Sequence, residues 1–276
     1  MKNKPEILLI IGNQRRHLHF ASNINNEFEL SGIILVDRGI DIPEINEELE
    51  EIDYINFKKH FSDRTQAELK HFNKIEKLEC PLLQVGFNSI NTVESVKFIK
   101  KINPNFVFVF GSGLIKNPLL EVLPKETINL HLGLSPRYRG SATLFWPFYF
   151  LEPNFAGSTF HYLTEQPDAG DIIHQIIPTL EYGDKIHDVA CKVISASSIA
   201  VTDLVKIYLS NGYWSKKTQK HSGKNFLDSD FYPAHLRLIY NTYDEKIVDY
   251  YLKNKIRNRV PKLIKQQMLI KKDKNE

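Results

Sequence analysis

Short apolar runs recur along the chain, separated by longer polar stretches with helical spacing, the signature of βα units feeding a mainly parallel sheet. Residues 7–11, 32–36, 106–110 and 127–130 read as buried strands. Two further strands, 158–163 and 172–177, are expected to pair as a hairpin. Helical spacing covers residues 64–78, 92–101 and 185–209, with Asp184 placed to cap the last of these. Thr242-Tyr243-Asp244-Glu245 has capping-box spacing and is expected to open a final helix running through Leu252. Asn211-Gly212 ends the long helix, and the polar stretch 210–223 marks a boundary. The predicted architecture is α/β: a Rossmann-like, mainly parallel sheet with flanking helices over residues 1–210. Residues 211–276 form a small, largely helical C-terminal appendage.

Composition adds limits. At 276 residues the chain can build its core without staples. Hydrophobic residues at 42% and charged ones at 25% are ordinary for a water-soluble fold. Cys80 and Cys191 stand far apart without metal-ligand spacing, which supports neither a disulfide framework nor a zinc site and suits a reducing cytoplasm. The first apolar run is too short to span a bilayer and ends in Gly12 without a cleavage pattern, so a buried strand is expected there. The formal net charge of +3 is uneven: residues 253–276 hold nine Lys or Arg against two acids. Basic chain ends of this kind are most often solvated.

Chemistry concentrates between residues 127 and 175. Asn129 and His131 sit two apart in Thr127-Ile128-Asn129-Leu130-His131, so their side chains project to one side. They lie at the carboxyl end of a predicted strand, where open α/β sheets bind ligands. Downstream come Gly133-Leu134-Ser135-Pro136-Arg137-Tyr138-Arg139-Gly140 and then Pro167-Asp168-Ala169-Gly170-Asp171-Ile172. Acyl transfer to an amine passes through a tetrahedral intermediate bearing an oxyanion. A fixed carboxamide N–H such as that of Asn129 can donate to it, worth about 3 to 4 kcal/mol in comparable sites. His131 can take the amine proton, and Asp168 can orient His131 or a water, so no covalent nucleophile is required. Singly, each residue has an ordinary alternative: Asn bonding a loop, His satisfied at a strand end, Asp in a turn. Their order, with the Pro136 to Gly140 loop between, is what singles them out. Upstream, Phe110-Gly111-Ser112-Gly113-Leu114-Ile115 is a glycine-rich turn from strand to short helix.

This combination resembles the folate-dependent formyltransferase family. There Asn-x-His, a Pro-x-Tyr-Arg-Gly loop and a distal Asp-x-Gly-x-Ile motif frame a site that moves a formyl group from 10-formyltetrahydrofolate onto an amine. The resemblance is densest over residues 106–175. It implies Asn129, His131 and Asp168 as catalytic residues, with Asp171 at the variable position of its motif. It implies a pteridine wall at Gly113, Leu114 and Ile115, and closure of the other side from Thr164 to Asp168. Gly133, Leu134, Ser135 and Pro136 occupy the family's Ser-Leu-Leu-Pro stretch beside the folate, with a departure in composition. The resemblance implies no metal, a small-molecule amine as acceptor, and a cytoplasmic enzyme without a membrane span. These folds often pair, which leaves a homodimer open.

Three branches of the family differ toward the chain ends. Enzymes that formylate glycinamide ribonucleotide carry Gly-Asn-Gly-Ser-Asn after the first strand, the second glycine letting backbone amides wrap a phosphate. Here the stretch reads Gly12-Asn13-Gln14-Arg15-Arg16-His17. Methionyl-tRNA formyltransferases add a sizeable C-terminal barrel for tRNA, whereas residues 211–276 read as short and helical, so no nucleic-acid partner is expected. The remaining branch formylates nucleotide-linked amino sugars for surface polysaccharides. Phe145, Trp146 and Tyr149 are then candidates to flank a sugar or base, and Arg15 and Arg16 to meet a diphosphate. A hydrolase passing the formyl group to water and a non-catalytic folate binder are the competing readings. The segment from Phe231 to Arg237 has no assigned mechanism.

Overall fold

Ile-Leu-Leu-Ile-Ile-Gly carries no polar side chain, and in the computed structural model it forms β1 (Ile7–Gly12), buried throughout as a central parallel strand requires. The structure describes residues 4–39, 42, 48–219, 223–256 and 259–266. Around β1 assemble β2 (Gly32–Asp37), β3 (Leu82–Gly86), β4 (Phe106–Phe110), β5 (Thr127–His131), β7 (Ser158–Tyr162) and β8 (Ile172–Ile176). Their order across the sheet is β3-β2-β1-β4-β5-β7-β8. The first five run parallel, and β7 and β8 are antiparallel to their neighbours. Period-two alternation assigns Ile7, Leu9 and Ile11 to one core, with residues of α1 (Arg15–Phe28) and α6 (Ile186–Asn211). Leu8 and Ile10 face the other, which includes Ile99 of α3 (Val93–Ile102) and Leu119 of the short α4 (Leu119–Val122).

The six strands expected from apolar runs are present, as are α3 and α6, each within a residue or two at its ends. Other expectations need correction. α1 was not anticipated, because its buried stripe includes His17 and Ser22 beside Phe20, Ala21 and Ile24 and so reads as polar. α2 spans Glu51–His71 rather than 64–78. Glu51 and Asp53 in its first turn and Lys70 and His71 in its last complement the helix dipole, while the Arg15 guanidinium takes the Phe72 carbonyl at its end, at 2.8 Å. β3 is an edge strand with exposed and half-buried residues, hence no apolar run. Asp184 does not cap α6: Asp188 reaches back to the Lys185 N–H at 3.2 Å, and Asp184 accepts from Lys192 instead. The final helix, α7 (Ile247–Leu252), starts five residues late because Asp244 and Glu245 adopt positive φ.

Past Asn211 the chain is less helical than expected. Alongside α7 and a few single turns it contributes β9 (Lys224–Phe226), which pairs in parallel with β6 (Tyr138–Gly140). Residues 264–266 run along the edge strand β8, where Gln175 N–H donates to Ile264 O at 2.7 Å and the Gln266 amide donates to Ile173 O at 2.6 Å. That pairing covers a sheet edge that would otherwise be open. Phe226, Leu236, Ile239, Tyr240, Ile247 and Val248 share one apolar cluster with Phe57, Phe61, Phe145 and Ile186. The basic stretch expected at the end lies partly outside the described residues. α6 is long and apolar enough to cross a membrane by length and composition alone. Here thirteen of its residues are buried within the protein, as in a core helix.

Candidate active site

β1 has β2 on one side and β4 on the other, so the crossovers leave it in opposite directions and open a crevice at the carboxyl ends of the strands. A cleft of roughly 810 Å³ lies there. Arg16 and His17 after β1, Gly111 to Gly113 after β4, and Asn129 to Leu132 at the end of β5 all line it. Gly111 and Gly113 have φ of 70° and 84°, and side chains at these points would run into His17 and Phe87.

Asn129, His131 and Asp168 are brought together. The β7–β8 hairpin folds back along β5, in register with Asn129 opposite His161 and His131 opposite Thr159. Its turn carries Asp168 at φ 50° to the Asn129–His131 face. Asp168 Oδ2 lies 3.3 Å from His131 Nδ1 and accepts the Gly140 N–H at 3.0 Å. Asp168 Oδ1 lies 3.4 Å from both His161 Nε2 and Asn129 Nδ2. His131 Nε2 sits 2.9 Å from the Tyr138 carbonyl and so donates to it, which leaves Nδ1 facing the carboxylate. His161 Nδ1 donates to Tyr162 O at 2.9 Å, and its Nε2 accepts from Asn129 at 3.1 Å. Gln219 closes the far side, donating to the carbonyls of Asp168 and Gly170.

The electrostatics follow. Burial opposes charge on Asp168, but the neighbouring His131, and after it His161 and the Gly140 N–H, outweigh it and hold the carboxyl well below its usual range. Burial lowers the His131 pKa, against the pull of Asp168 and the Tyr138 carbonyl. The pair at neutral pH is therefore a carboxylate beside a neutral imidazole, an arrangement able to take up one proton and stabilise it.

His161 was missed by sequence reasoning. Its signal was the alternation Thr159-Phe160-His161, which sets two polar side chains on the face that pairs with Asn129 and His131. A register shift between Phe160 and His161, on the side facing β8, falls at the same point. Of the positions expected to frame a pteridine, Gly113 lines the cleft. Leu114 is exposed and Ile115 is buried in the core. Gly133, Leu134, Ser135 and Pro136 are not among the lining residues: Leu134 joins the apolar cluster under the loop, and Ser135 is tied to Thr159 and Gln175. The reason is that Gly133 packs against His131 and Tyr138, turning this stretch inward as support. Thr164 Oγ1 bonds Gln166 O within the Asp168 loop, also outside the lining.

Arg15 is committed to the end of α2, whereas Arg16 reaches the cleft paired with Glu68 at 2.6 Å. Phe145 lines the cleft, Trp146 stacks on Phe226 instead, and Tyr149 packs beside His235. Phe231 also lines the cleft, and Arg237 makes a two-point contact with buried Asp53 at 2.6 and 2.7 Å. The C-terminal residues thus reach the site.

A sequence model described as formyl transferase matches residues 58–204, just over half of the chain. The chain belongs to the formyl transferase family. Among curated relatives, the methionyl-tRNA formyltransferase of Clostridium tetani is 33% identical over 78 residues, covering 28% of this chain and 25% of that protein. The match thus spans about a quarter of that relative's length. Two solved structures share the fold. A sugar N-formyltransferase from a Shewanella species aligns with TM-score 0.50 at 18% identity, over 82% of this chain and 78% of that one. A phosphoribosylglycinamide formyltransferase from Anaplasma phagocytophilum aligns with TM-score 0.52 at 16% identity, over 76% and 89%.

Proposed function

We propose that this chain transfers a formyl group from 10-formyltetrahydrofolate to the amine of a small, nucleotide-linked amino sugar. The observation that carries the chemistry is the carboxylate of Asp168 held between His131 and His161, with Asn129 alongside, in a cleft at the carboxyl edge of a family-typical sheet. The cleft volume suits a drug-sized donor with an acceptor beside it.

In the reaction, the acceptor nitrogen bonds to the formyl carbon and the bond from that carbon to the folate nitrogen breaks. The amine gives up a proton and the folate nitrogen gains one. Asn129 supplies an N–H to the developing oxyanion, and its 3.4 Å contact with Asp168 is long enough to re-aim at small cost. His131 accepts the amine proton at Nδ1, and Asp168 stabilises the imidazolium so formed. His161 orients Asn129, whose amide in turn reaches Asp168.

Two features support the sugar acceptor over other branches. The loop after β1 runs Gly12-Asn13-Gln14-Arg15-Arg16, without a second glycine for a phosphate-wrapping backbone. The described residues past 211 contribute one three-residue strand and short helical turns, not the strands of a barrel. The test is to incubate the protein with 10-formyltetrahydrofolate and a panel of UDP-, dTDP- and GDP-linked amino sugars, following tetrahydrofolate release and a formyl mass increment. Formylation of a sugar is the expected result. Release of tetrahydrofolate without any acceptor would identify a hydrolase, and transfer only to glycinamide ribonucleotide or charged tRNA would overturn the acceptor.

A further inference from the structure

Beyond Asn129, His131 and Asp168 the cleft is walled by α2 and the start of α6, and its character changes. His60 and His187 meet there with ring centroids 4.4 Å apart, each only 7% exposed. Phe61, Phe145 and Phe231 surround His60 at 5.2, 6.2 and 6.3 Å between ring centroids. All five residues line the cleft. Tyr240 Oη lies 3.0 Å from His60 Nδ1 and fixes that ring.

Packing alone does not call for imidazoles in this place, because Phe or Leu would fill the same space without desolvating ring nitrogens. His187 Nε2 is buried without a hydrogen-bond partner, a state that costs free energy until a partner arrives. Burial, with the charge of Arg64 nearby, keeps both rings neutral, so neither is suited to pair with phosphate as a cation. A neutral imidazole nitrogen is a donor in one tautomer and an acceptor in the other, and a hydroxyl pairs with either.

We propose that the His60–His187 pair determines acceptor specificity by hydrogen bonding to a hydroxyl of the acceptor's sugar, while Phe61, Phe145 and Phe231 enclose its apolar faces. This rests on the formyl-transfer reading, which assigns the β4 loop to the donor and leaves the α2–α6 wall to the acceptor.

The test is steady-state kinetics of the whole chain with 10-formyltetrahydrofolate and the same panel of UDP-, dTDP- and GDP-linked amino sugars. Wild type is compared with His187→Leu, His187→Gln and His60→Phe, each checked for folding by thermal unfolding. His187→Leu is expected to raise the acceptor KM at least tenfold, with the donor KM held within twofold. His187→Gln, which restores a hydrogen-bonding atom, recovers part of that loss. Should His187→Leu fail to fold, His187→Gln and His60→Phe, which preserve volume, carry the comparison through their own shifts in acceptor KM. An acceptor KM within twofold of wild type in every folded variant overturns this inference and leaves formyl transfer standing. A wild type that formylates no amine overturns both, and shows it before any variant is made.

Discussion

A carboxylate as deeply set as Asp168 stays charged because its neighbours compensate for lost water, and this dependence runs both ways. His131 is lowered by burial and lifted by Asp168, so Asp168→Asn should lower the His131 pKa further. In the proposed mechanism the free base of His131 is the working form, so the acidic limb of kcat/KM against pH should move to lower pH in Asp168→Asn while the plateau falls by orders of magnitude. A limb that stays in place would separate His131 from that limb. On the role proposed for Asn129, Asn129→Ala removes one oxyanion donor, and a loss of about a hundredfold in kcat, near 3 kcal/mol, is expected in steady-state assays with folding unchanged. Asn129, His131 and Asp168 could be picked out of the sequence because their order and local contexts form a pattern. Nothing in that pattern stated a distance, which exists only because β7 doubles back along β5. His161 escaped notice because a histidine inside a buried strand reads like any satisfied core residue.

Elements supply the positions those residues need. β6 and β9 pair over only three residues each, yet the pair sets the Gly140 N–H on Asp168 Oδ2 and ties chain beyond 211 to the site. Gly140 has φ of 83°, and a Cβ there would lie 2.1 Å from Phe226 O. Gly140→Ala therefore strains the backbone by about 1 kcal/mol or more and pushes β6 off β9. It should lower Tm and reduce kcat/KM by more than the lost stability accounts for, which thermal unfolding and kinetics on the same preparation would show. The strands with continuous apolar runs were legible, since burial on both faces leaves no room for polar residues. β3, β6 and β9 were not: the first is an edge strand, and the other two are three residues long. α1 was hidden because its inward stripe includes His17 and Ser22, a cost in local pattern that the cleft above it explains.

Across the whole molecule, an uncommon number of histidines are buried in and around one cleft. Burial and the charges of Arg16 and Arg38 hold His17 well below its usual value, and burial, His187 and Arg64 do the same for His60. His187 is brought down to about 3 by burial and Arg64. Each ring binds a proton less readily folded than unfolded, so below the unfolded value of 6.5 the unfolded chain takes up more protons and stability falls with pH. For His187 alone the loss at pH 5 is on the order of 2 kcal/mol, and His17 and His60 add in the same direction. Asp168 has the opposite sense: its lowered pKa contributes stability that persists above its unfolded value of 3.8 and is lost only as pH falls through the folded one. Between pH 6.5 and about 4 the histidines therefore set the slope. Urea unfolding followed from pH 7.5 to pH 5 should show stability declining steadily, and His187→Phe should flatten that decline by removing one of the rings that must charge. A wild-type stability constant across this range would mean that the rings keep their ordinary affinity for protons, and with it that the cleft is wetter than its packing indicates.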